Sequence, residues 1–452
     1  MNWLLIAVIC IIAWNVVRGY TRGVLRMVYS LAAWIVMLAA STMAAPYVRD
    51  QILSQTGIEP VILNGIEKQI AAQGQKATGD FDMANILLQQ SGAYDTISAQ
   101  LTNAIMTGLS FFIVFFLCEK KYCEPRSKSD FKLNTVVTVT IYDLEEKEKK
   151  PDDKDKRNEK GIHREEKDAE EIIDKALKLC DKYEKIFSRT LPESEIYALN
   201  HGTLPMEDGY YLLSEECAAL IEKGLYYSEL SGGAFDITIE PVSSLWDFTS
   251  GEKIVPDAET IAEKQACVGY EDVELKGNKL RFKKEGMGIE LGAVAKGYIA
   301  DKVKEYLVSE GVKSAVIDLG GNVLCVGEKP DGKPFKIGIQ KPFADRSETV
   351  SAVEIAGTSV VSSGIYERYF EKDGKLYHHI LDPATGYPYE NGLVSVTVLS
   401  EESADGDGLS TACFALGLEK GLELIEQTPD TEAMFITEDG EMHFSKGFVY
   451  CG

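Results

Sequence analysis

The sequence predicts an α+β fold preceded by transmembrane α-helices. Three observations support this prediction. Residues 1–118 contain long apolar segments and carry six Lys/Arg against six Asp/Glu. Residues 119–452 instead carry 41 Lys/Arg against 65 Asp/Glu, and this part holds the whole net charge of −24. Within it, segments that alternate like strands mix with segments of helical period between short turns, which is typical of α+β domains with antiparallel sheet.

The first part of the chain, residues 1–118, has three apolar segments at residues 3–17, 27–48 and 101–117. A membrane-spanning helix needs about 17–25 apolar residues, so the second segment is long enough and the other two are marginal. The alternative for each segment is a buried core helix. The sequence therefore predicts a membrane region with two or three hydrophobic helices and a location at the cell membrane.

The orientation in the membrane follows from the basic residues. Arg18, Arg22 and Arg26 lie between the first two apolar segments, which places that loop in the cytoplasm. Three spans would leave the rest of the chain in the cytoplasm, whereas two would leave it outside. Because the third segment is marginal as a span, we expect the larger domain to be extracytoplasmic, with a cytoplasmic orientation as the alternative.

The larger domain begins after a linker at residues 119–131 and extends over residues 132–452. Residues 143–168 look like an insertion, since 20 of these 26 residues are charged, as in a solvated loop or a frayed helix. The acidic charge of the domain repels phosphate backbones, so we expect no nucleic-acid partner. An acidic protein that binds anions must do so at a local site, and a metal ion is a natural means.

The strands and helices of this domain follow from local patterns. Residues 132–142 alternate like a strand, and helical spacing begins at Asp168. Another helix is predicted at 214–230, and a further one begins near Lys296. Strands are predicted at 314–319, 335–340, 351–356 and 393–399.

Two glycine-containing stretches have residues suited to chemistry. In GGAFDIT, residues 232–238, Asp236 follows tight backbone, and the alternative is a turn with an Asx cap. In IELGAVAKGYIAD, residues 289–301, small residues before Lys296 allow a ligand to approach the backbone. A helix that begins there points free N–H groups at an anion, and carbonyls before it can bind a hard cation. The alternative is close packing beside a solvated lysine.

Two further stretches have candidate residues, a histidine in the first and two aspartates in the second. In HHILDPATGYP, residues 378–388, His379 beside a turn is suited to proton transfer, although a structural histidine is the alternative. In SADGDGLSTACFALG, residues 403–417, helical spacing puts Asp407 and Thr411 on one face. A carboxylate and a hydroxyl there can bind Mg²⁺, and the alternative is N-capping by Asp405 or Asp407.

These four stretches resemble, in content and order, motifs of the ApbE family of FAD:protein FMN transferases. The resemblance spans about 320 residues, from LNT at 133–135 to near the C-terminus, and includes FSRTLPESEIYALN, DLGGN and SSGIYERYF. The Met-Asn-Trp opening and the RGYTRGVLR loop at 18–26 resemble the start of the CvpA (colicin V production) family of membrane proteins. This resemblance covers roughly the first 50 residues well and the next 65 loosely, in a truncated form.

The ApbE resemblance implies a bilobal α+β enzyme with FAD between its lobes. With Mg²⁺, it would move the FMN half of FAD onto a Thr or Ser hydroxyl of an acceptor protein and release AMP. The implied metal ligands are the Ala293 carbonyl, Asp407 and Thr411. His379 would be the base, with Lys296 and Asp407 as the other catalytic residues. Implied flavin contacts are Leu133, Thr190, Ala234, Phe235, Asp236, Glu290, Lys296 and Ile380.

Two positions depart from the family pattern. Glu290 stands where the family usually has aspartate, and Thr190 stands where an aromatic residue often stacks near the flavin. The acceptor is expected to be a separate protein, with a subunit of a membrane redox complex as one candidate. Two alternatives stay open. One is an FAD-binding or FAD-hydrolysing protein without a protein acceptor, and the other is a CvpA-type membrane protein with a passenger domain.

Overall fold

The structure is a computed structural model that describes residues 43, 62, 100–111, 125–145, 160–345 and 347–451. The chain divides into two compact units, Met1–Cys123 and Glu124–Gly452. In the first unit, residues 100–111 are helical. Across the described ranges, we find no helix with the length and apolar character needed to span a bilayer.

Most of the predicted membrane region falls outside the described residues. This holds for the apolar segment 3–17, for all of 27–48 except residue 43, and for the end of 101–117. The number of spans, the orientation and the location at the membrane therefore stay predictions.

The second unit combines strands and helices throughout. Its strands are β1 (Arg126–Lys132), β2 (Thr135–Leu144), β3 (Met206–Glu207), β4 (Tyr210–Leu212), β5 (Val273–Lys276), β6 (Lys279–Phe282), β7 (Val312–Leu319), β8 (Asn322–Val326), β9 (Phe335–Gln340), β10 (Thr349–Ile355), β11 (Ser359–Gly364), β12 (Tyr369–Lys372), β13 (Lys375–His378), β14 (Leu393–Ser400), β15 (Glu432–Thr437) and β16 (Met442–Phe444). Its helices are α1 (Lys160–Phe187), α2 (Glu195–Asn200), α3 (Glu215–Leu230), α4 (Glu240–Ser243), α5 (Ala258–Gln265), α6 (Ala295–Ser309), α7 (Ser403–Leu416) and α8 (Leu418–Gln427).

An eight-stranded sheet forms the centre of this unit, in the order β1-β2-β7-β8-β11-β14-β15-β16. Every neighbouring pair is antiparallel. The strands β3, β4, β6 and β5 form a second antiparallel sheet. The predicted α+β class with antiparallel sheet is thus confirmed.

The central sheet has a core on each face. Because side chains alternate along a strand, Ala433 and Phe435 of β15 pack into the larger core with the helices, whereas Met434 and Ile436 pack into a second core. The larger core includes residues of α1, α6 and α7, and the second contains residues of the β9–β10 hairpin. The helices α6 and α7, which carry several predicted site residues, therefore rest on one face of this sheet.

The helices and strands predicted from periodicity correspond to α3, α6, β7, β9, β10 and β14, within a few residues at their ends. One difference concerns the predicted linker 119–131, because residues 126–132 form β1. This edge strand is mostly polar and partly exposed, so it lacks the apolar alternation that reveals a strand. In the charged segment 143–168, the described end belongs to α1, which begins at Lys160 and corresponds to the frayed-helix alternative.

Candidate active site

Two helices, α6 and α7, meet at their N-terminal turns, and each supplies a carboxylate to the other. Asp407 of α7 accepts the N–H of Gly297 in α6 at 2.9 Å. In return, Asp301 of α6 accepts the N–H groups of Ser403 and Ala404 in α7, each at 2.8 Å. The first turn of a helix leaves its N–H groups without partners inside the helix, so each aspartate satisfies donors of the opposite helix.

The two glycines of IELGAVAKGYIAD, Gly292 and Gly297, differ in how closely other atoms surround them. A Cβ atom at Gly297 would lie 2.2 Å from the Ser403 carbonyl oxygen, so glycine is required where α6 and α7 cross. At Gly292 the same atom would lie 3.6 Å from the nearest group, an oxygen of Glu290. Gly297 thus permits close packing of the two helices, whereas the surroundings of Gly292 leave space.

Asp407 is buried, with 3% of its surface exposed. Burial raises the pKa of its carboxyl, while the Lys296 ammonium and the N–H groups of Gly297 and Lys296 oppose this effect. A buried carboxylate in the charged form is stabilised by nearby positive groups. The start of α6 provides them, since it brings a lysine and free N–H groups to the same carboxylate.

Thr411 follows Asp407 by one helical turn, as the spacing predicts. Its hydroxyl lies 3.4 Å from the Asp407 carbonyl oxygen and 2.9 Å from the hydroxyl of Ser363 in β11. The Ser363 hydroxyl also lies 2.8 Å from that of Ser410. Sequence reasoning gave Ser363 no role, yet this residue links the threonine to the sheet.

The Ala293 carbonyl lies just before α6. In a continuing helix it would accept the N–H of Gly297, but that N–H donates to Asp407 instead. A carbonyl, a carboxylate and a hydroxyl are all hard oxygen ligands, and Mg²⁺ is commonly held by one or two carboxylates together with substrate phosphates. Within the described ranges no group of three or more His, Cys, Asp or Glu side chains could hold a metal ion. The residues at this point therefore fit Mg²⁺ only as a mixed oxygen site.

The two adjacent histidines have different surroundings. His378 is buried, and its Nε2–H donates to the Tyr389 carbonyl at 3.0 Å while its Nδ1 accepts the N–H of Ile380 at 3.3 Å. His379 is half-buried, and its Nδ1–H donates to the Arg368 carbonyl at 3.3 Å. Because one ring nitrogen of a neutral imidazole carries the proton, Nε2 of His379 is left as an acceptor.

Both histidines are neutral near pH 7. Burial lowers the pKa of His378 to about 4. For His379, burial is again the main cause, and with the positive charges of Arg368 and, more weakly, Lys296 it lowers the pKa to about 3. The positive charge of Lys296 thus acts to lower the pKa of Asp407 and, more weakly, that of His379. The joint catalytic role of these three residues stays a prediction.

The Asp236 carboxylate stabilises the turn that contains it. Its carboxylate is buried and accepts the N–H and the hydroxyl of Thr238 at 2.8 and 2.7 Å, and the N–H of Tyr270 at 3.0 Å. Its neighbour Phe235 packs in the larger core, and the Ala234 carbonyl accepts the Tyr389 hydroxyl at 2.8 Å. These contacts correspond to the turn alternative, and flavin contact by these residues stays a prediction.

Glu290 is held by two polar side chains. Its carboxylate pairs with Arg189 Nε at 3.1 Å and accepts the Ser243 hydroxyl, with about a quarter of the side chain exposed. The adjacent Ile289 backbone is clamped by Asn200, which accepts its N–H at 2.8 Å and donates to its carbonyl at 2.9 Å. Asn200 therefore holds in place the backbone next to Glu290. The sequence alone did not assign this role to Asn200.

The remaining predicted flavin contacts are dispersed. Leu133 stands at the β1–β2 turn with a φ of 53°, and it is partly buried against the larger core. Thr190 is exposed, with its hydroxyl 3.3 Å from that of Ser188. Ile380 is buried beside the histidines. These three do not form part of the contact between α6 and α7.

Asp405 has a different environment from Asp407. It pairs with Lys223 of α3 at 2.7 Å and accepts the Tyr227 hydroxyl. Residues two apart on a helix face different directions, so only Asp407 turns toward α6. By the same spacing rule, Asp301 follows Gly297 by four residues and shares its face of α6, a signal that would have indicated its role.

Comparison with known proteins identifies the family. The family model described as ApbE family matches residues 133–435. An FAD:protein FMN transferase of Klebsiella pneumoniae (strain 342) is 39% identical over 61% of this chain and 85% of its own length. A relative of the same name from Treponema pallidum (strain Nichols) is 32% identical over 75% and 93%.

Solved structures agree with this assignment. The crystal structure of the ApbE protein from Thermotoga maritima has a TM-score of 0.60 at 29% identity, covering 72% of this chain and 97% of that protein. The flavin transferase ApbE from Vibrio cholerae has a TM-score of 0.59 at 26% identity, with coverages of 72% and 98%. The chain belongs to the ApbE family.

Proposed function

We propose that this chain is an FAD:protein FMN transferase that uses Mg²⁺ to transfer FMN from FAD to a Thr or Ser hydroxyl of an acceptor protein, with release of AMP. The observation that carries the proposal is the contact of α6 with α7, in which Asp407 accepts the N–H of Gly297 directly after Lys296. The relatives described above carry the name FAD:protein FMN transferase, which supports the transfer of FMN from FAD to a protein.

The proposed step exchanges one phosphorus–oxygen bond for another. The acceptor hydroxyl oxygen bonds to the phosphorus of the FMN half, and the bond from that phosphorus to the bridging oxygen breaks. AMP leaves with the bridging oxygen, and the hydroxyl proton moves to Nε2 of His379. Such a transfer depends chiefly on positioning and on the neutralisation of phosphate charge.

The residues around α6 suit this task. Lys296 supplies a positive charge next to the start of the helix, where the helix dipole also favours an anion. Mg²⁺ held by the Ala293 carbonyl, Asp407 and Thr411 would supply further charge neutralisation at the diphosphate. His379 bonds to the Arg368 carbonyl through Nδ1, which leaves Nε2 as the acceptor that a base requires.

The direct test uses the full-length chain with FAD, Mg²⁺ and an acceptor domain that has a Thr or Ser flavinylation site. A fluorescent acceptor band should remain after denaturing electrophoresis. His379→Ala is expected to slow the transfer about 10²–10⁴-fold, the usual contribution of a general base. The proposal would be refuted if the acceptor band is not fluorescent after incubation with this chain but is fluorescent after incubation with the Vibrio cholerae enzyme.

A second candidate is FAD hydrolysis without a protein acceptor. It is favoured by Thr190, an exposed and small side chain at a position where the family often has an aromatic residue. In that case water would take the place of the acceptor hydroxyl. Release of FMN and AMP from FAD at the same rate with and without acceptor would favour hydrolysis over protein flavinylation.

The cellular setting is part of the proposal. We place the chain at the cell membrane with the catalytic domain outside the cytoplasm, and a membrane redox-complex subunit is a suitable acceptor. Protease treatment of intact spheroplasts should then degrade the domain. If Asp407→Ala left the cellular role unchanged, a CvpA-type membrane function with a passenger domain would be the better description.

A further inference from the structure

Asp301 lies at the crossing of α6 and α7 but is absent from the predicted ligand set. Its two carboxylate oxygens bond separately, Oδ1 to the N–H of Ser403 and Oδ2 to the N–H of Ala404, both at 2.8 Å. A pair of bonds to adjacent N–H groups restrains both the position of the first turn of α7 and its rotation about the helix axis.

Asp301 restrains the predicted metal site through the first turns of α7. Asp407 lies three residues after Ala404, about 4.5 Å along the axis at the usual helical rise. The Asp407 carboxylate returns to α6 through its bond to Gly297. The two helices are therefore joined at two points, and any rotation of α7 that kept one bond would strain the other.

We infer that Asp301 is a positioning residue that sets the rotation of α7 and thereby holds Asp407 and Thr411 at the distance from the Ala293 carbonyl that Mg²⁺ requires. This inference rests on the proposed function, because it concerns the metal site of that reaction.

Charge alone is a weaker explanation of the role of Asp301. The start of α7 already has Glu402 and Asp405, and both pair with Lys223 of α3, at 3.0 and 2.7 Å. Negative charge near this helix end would therefore persist without Asp301. The feature that Asp301 supplies is the pair of direct bonds to the first turn.

The test measures metal binding apart from catalysis, in the full-length chain. Binding of Mn²⁺, which takes the oxygen ligands that suit Mg²⁺, is followed through the electron paramagnetic resonance signal of the free ion. The variants are Asp301→Ala and Asp301→Asn. The matched control is Asp257→Ala, because Asp257 caps α5 by accepting the N–H of Thr260 at 2.9 Å and α5 contains none of the predicted ligands.

Asp301→Ala should weaken Mn²⁺ binding about tenfold, as other residues that orient metal ligands do. Asp301→Asn should weaken it less, because the amide oxygen still accepts one N–H. Asp257→Ala should leave it unchanged. In transfer assays, Asp301→Ala should raise the half-saturating Mg²⁺ concentration and leave the half-saturating FAD concentration near the wild-type value.

Equal Mn²⁺ affinities for Asp301→Ala and Asp257→Ala would overturn the inference, as would a wild-type chain that binds no Mn²⁺. If the circular dichroism signal shows that Asp301→Ala is unfolded, the Mn²⁺ affinity of Asp301→Asn is the deciding measurement. Wild-type affinity in a folded Asp301→Asn variant would overturn the inference. A wild-type chain that binds Mn²⁺ yet transfers no flavin would instead refute the proposed function.

Discussion

The carboxylate of Asp407 accepts the backbone N–H of Gly297 across the crossing of two helices, at 2.9 Å. This bond joins the residue predicted to bind the metal to the residue that lets the helices approach. The same carboxylate lies within the electrostatic influence of Lys296. The packing of α6 against α7 and the chemistry of the site therefore depend on one another.

Gly297→Ala should destabilise the fold. The added Cβ would lie 2.2 Å from the Ser403 carbonyl oxygen, a backbone atom that cannot rotate away. Overpacking of this kind costs about 1–3 kcal/mol in unfolding free energy, more than the gain in helix propensity. The measurement is chemical denaturation, and Gly292→Ala is the matched control, with an expected change within about 0.5 kcal/mol. Equal stability of the two variants would contradict the described crossing.

Asp407→Asn should separate chemistry from folding. Asp407 is buried and bonded to Gly297, so its replacement affects the fold as well as the site. Alanine would leave that N–H unpaired, at a cost of about 1–3 kcal/mol. Asparagine keeps an acceptor for it and removes the charge.

For Asp407→Asn we therefore expect near wild-type unfolding free energy, together with loss of Mn²⁺ binding and of FMN transfer. Unfolding, metal binding and transfer are measured on the same preparation. Transfer near the wild-type rate at limiting Mg²⁺ would refute the assignment of Asp407 as a metal ligand.

Ser363→Ala should weaken metal-dependent activity through Thr411. The Ser363 hydroxyl lies 2.9 Å from the Thr411 hydroxyl and orients it. We expect the half-saturating Mg²⁺ concentration to rise about tenfold, as for other groups that orient metal ligands. The control is Ser362→Ala, since Ser362 points to the other face of β11 and contacts Thr397 at 2.8 Å. The same response from both serines would argue against this role.

The buried His378 should make stability depend on pH. Its pKa falls from 6.5 to about 4 on folding, so between these values the unfolded chain binds a proton that the folded chain does not. Stability from His378 is therefore present above pH 6.5 and is lost as the pH falls toward 4, by up to about 3 kcal/mol. Asp301 has the opposite effect on stability. Burial raises its pKa from 3.8 to about 6 despite its bonds to Ala404 and Ser403, so its contribution to stability is lost as the pH rises through this range.

The contribution of His378 is isolated by comparing the wild type with His378→Gln at pH 7.5 and pH 4.5. The wild type should be more stable than the variant at the higher pH, and this advantage should shrink by about 2–3 kcal/mol at the lower pH. An advantage that stays constant between the two values would show that His378 does not titrate as its burial requires.

The sequence by itself determined the local features of this protein. Apolar alternation marked β7 and β14, and helical spacing marked α3 and placed Asp407 and Thr411 on one face of α7. The ordered motifs indicated the ApbE family, which the family match confirms. These features depend on residues a few positions apart, where backbone geometry alone sets which side chains are neighbours.

Only the tertiary structure decided which distant residues meet. Asp301 and Ser403 are 102 positions apart, and no local period connects them. Gly292 and Gly297 look equivalent in the sequence, yet only Gly297 stands against another backbone. Asp236 and Asp407 are both buried aspartates, but the first bonds to its own turn and the second to another helix. Such contacts arise from the packing of whole helices on the sheet, which depends on the complete fold rather than on any one segment.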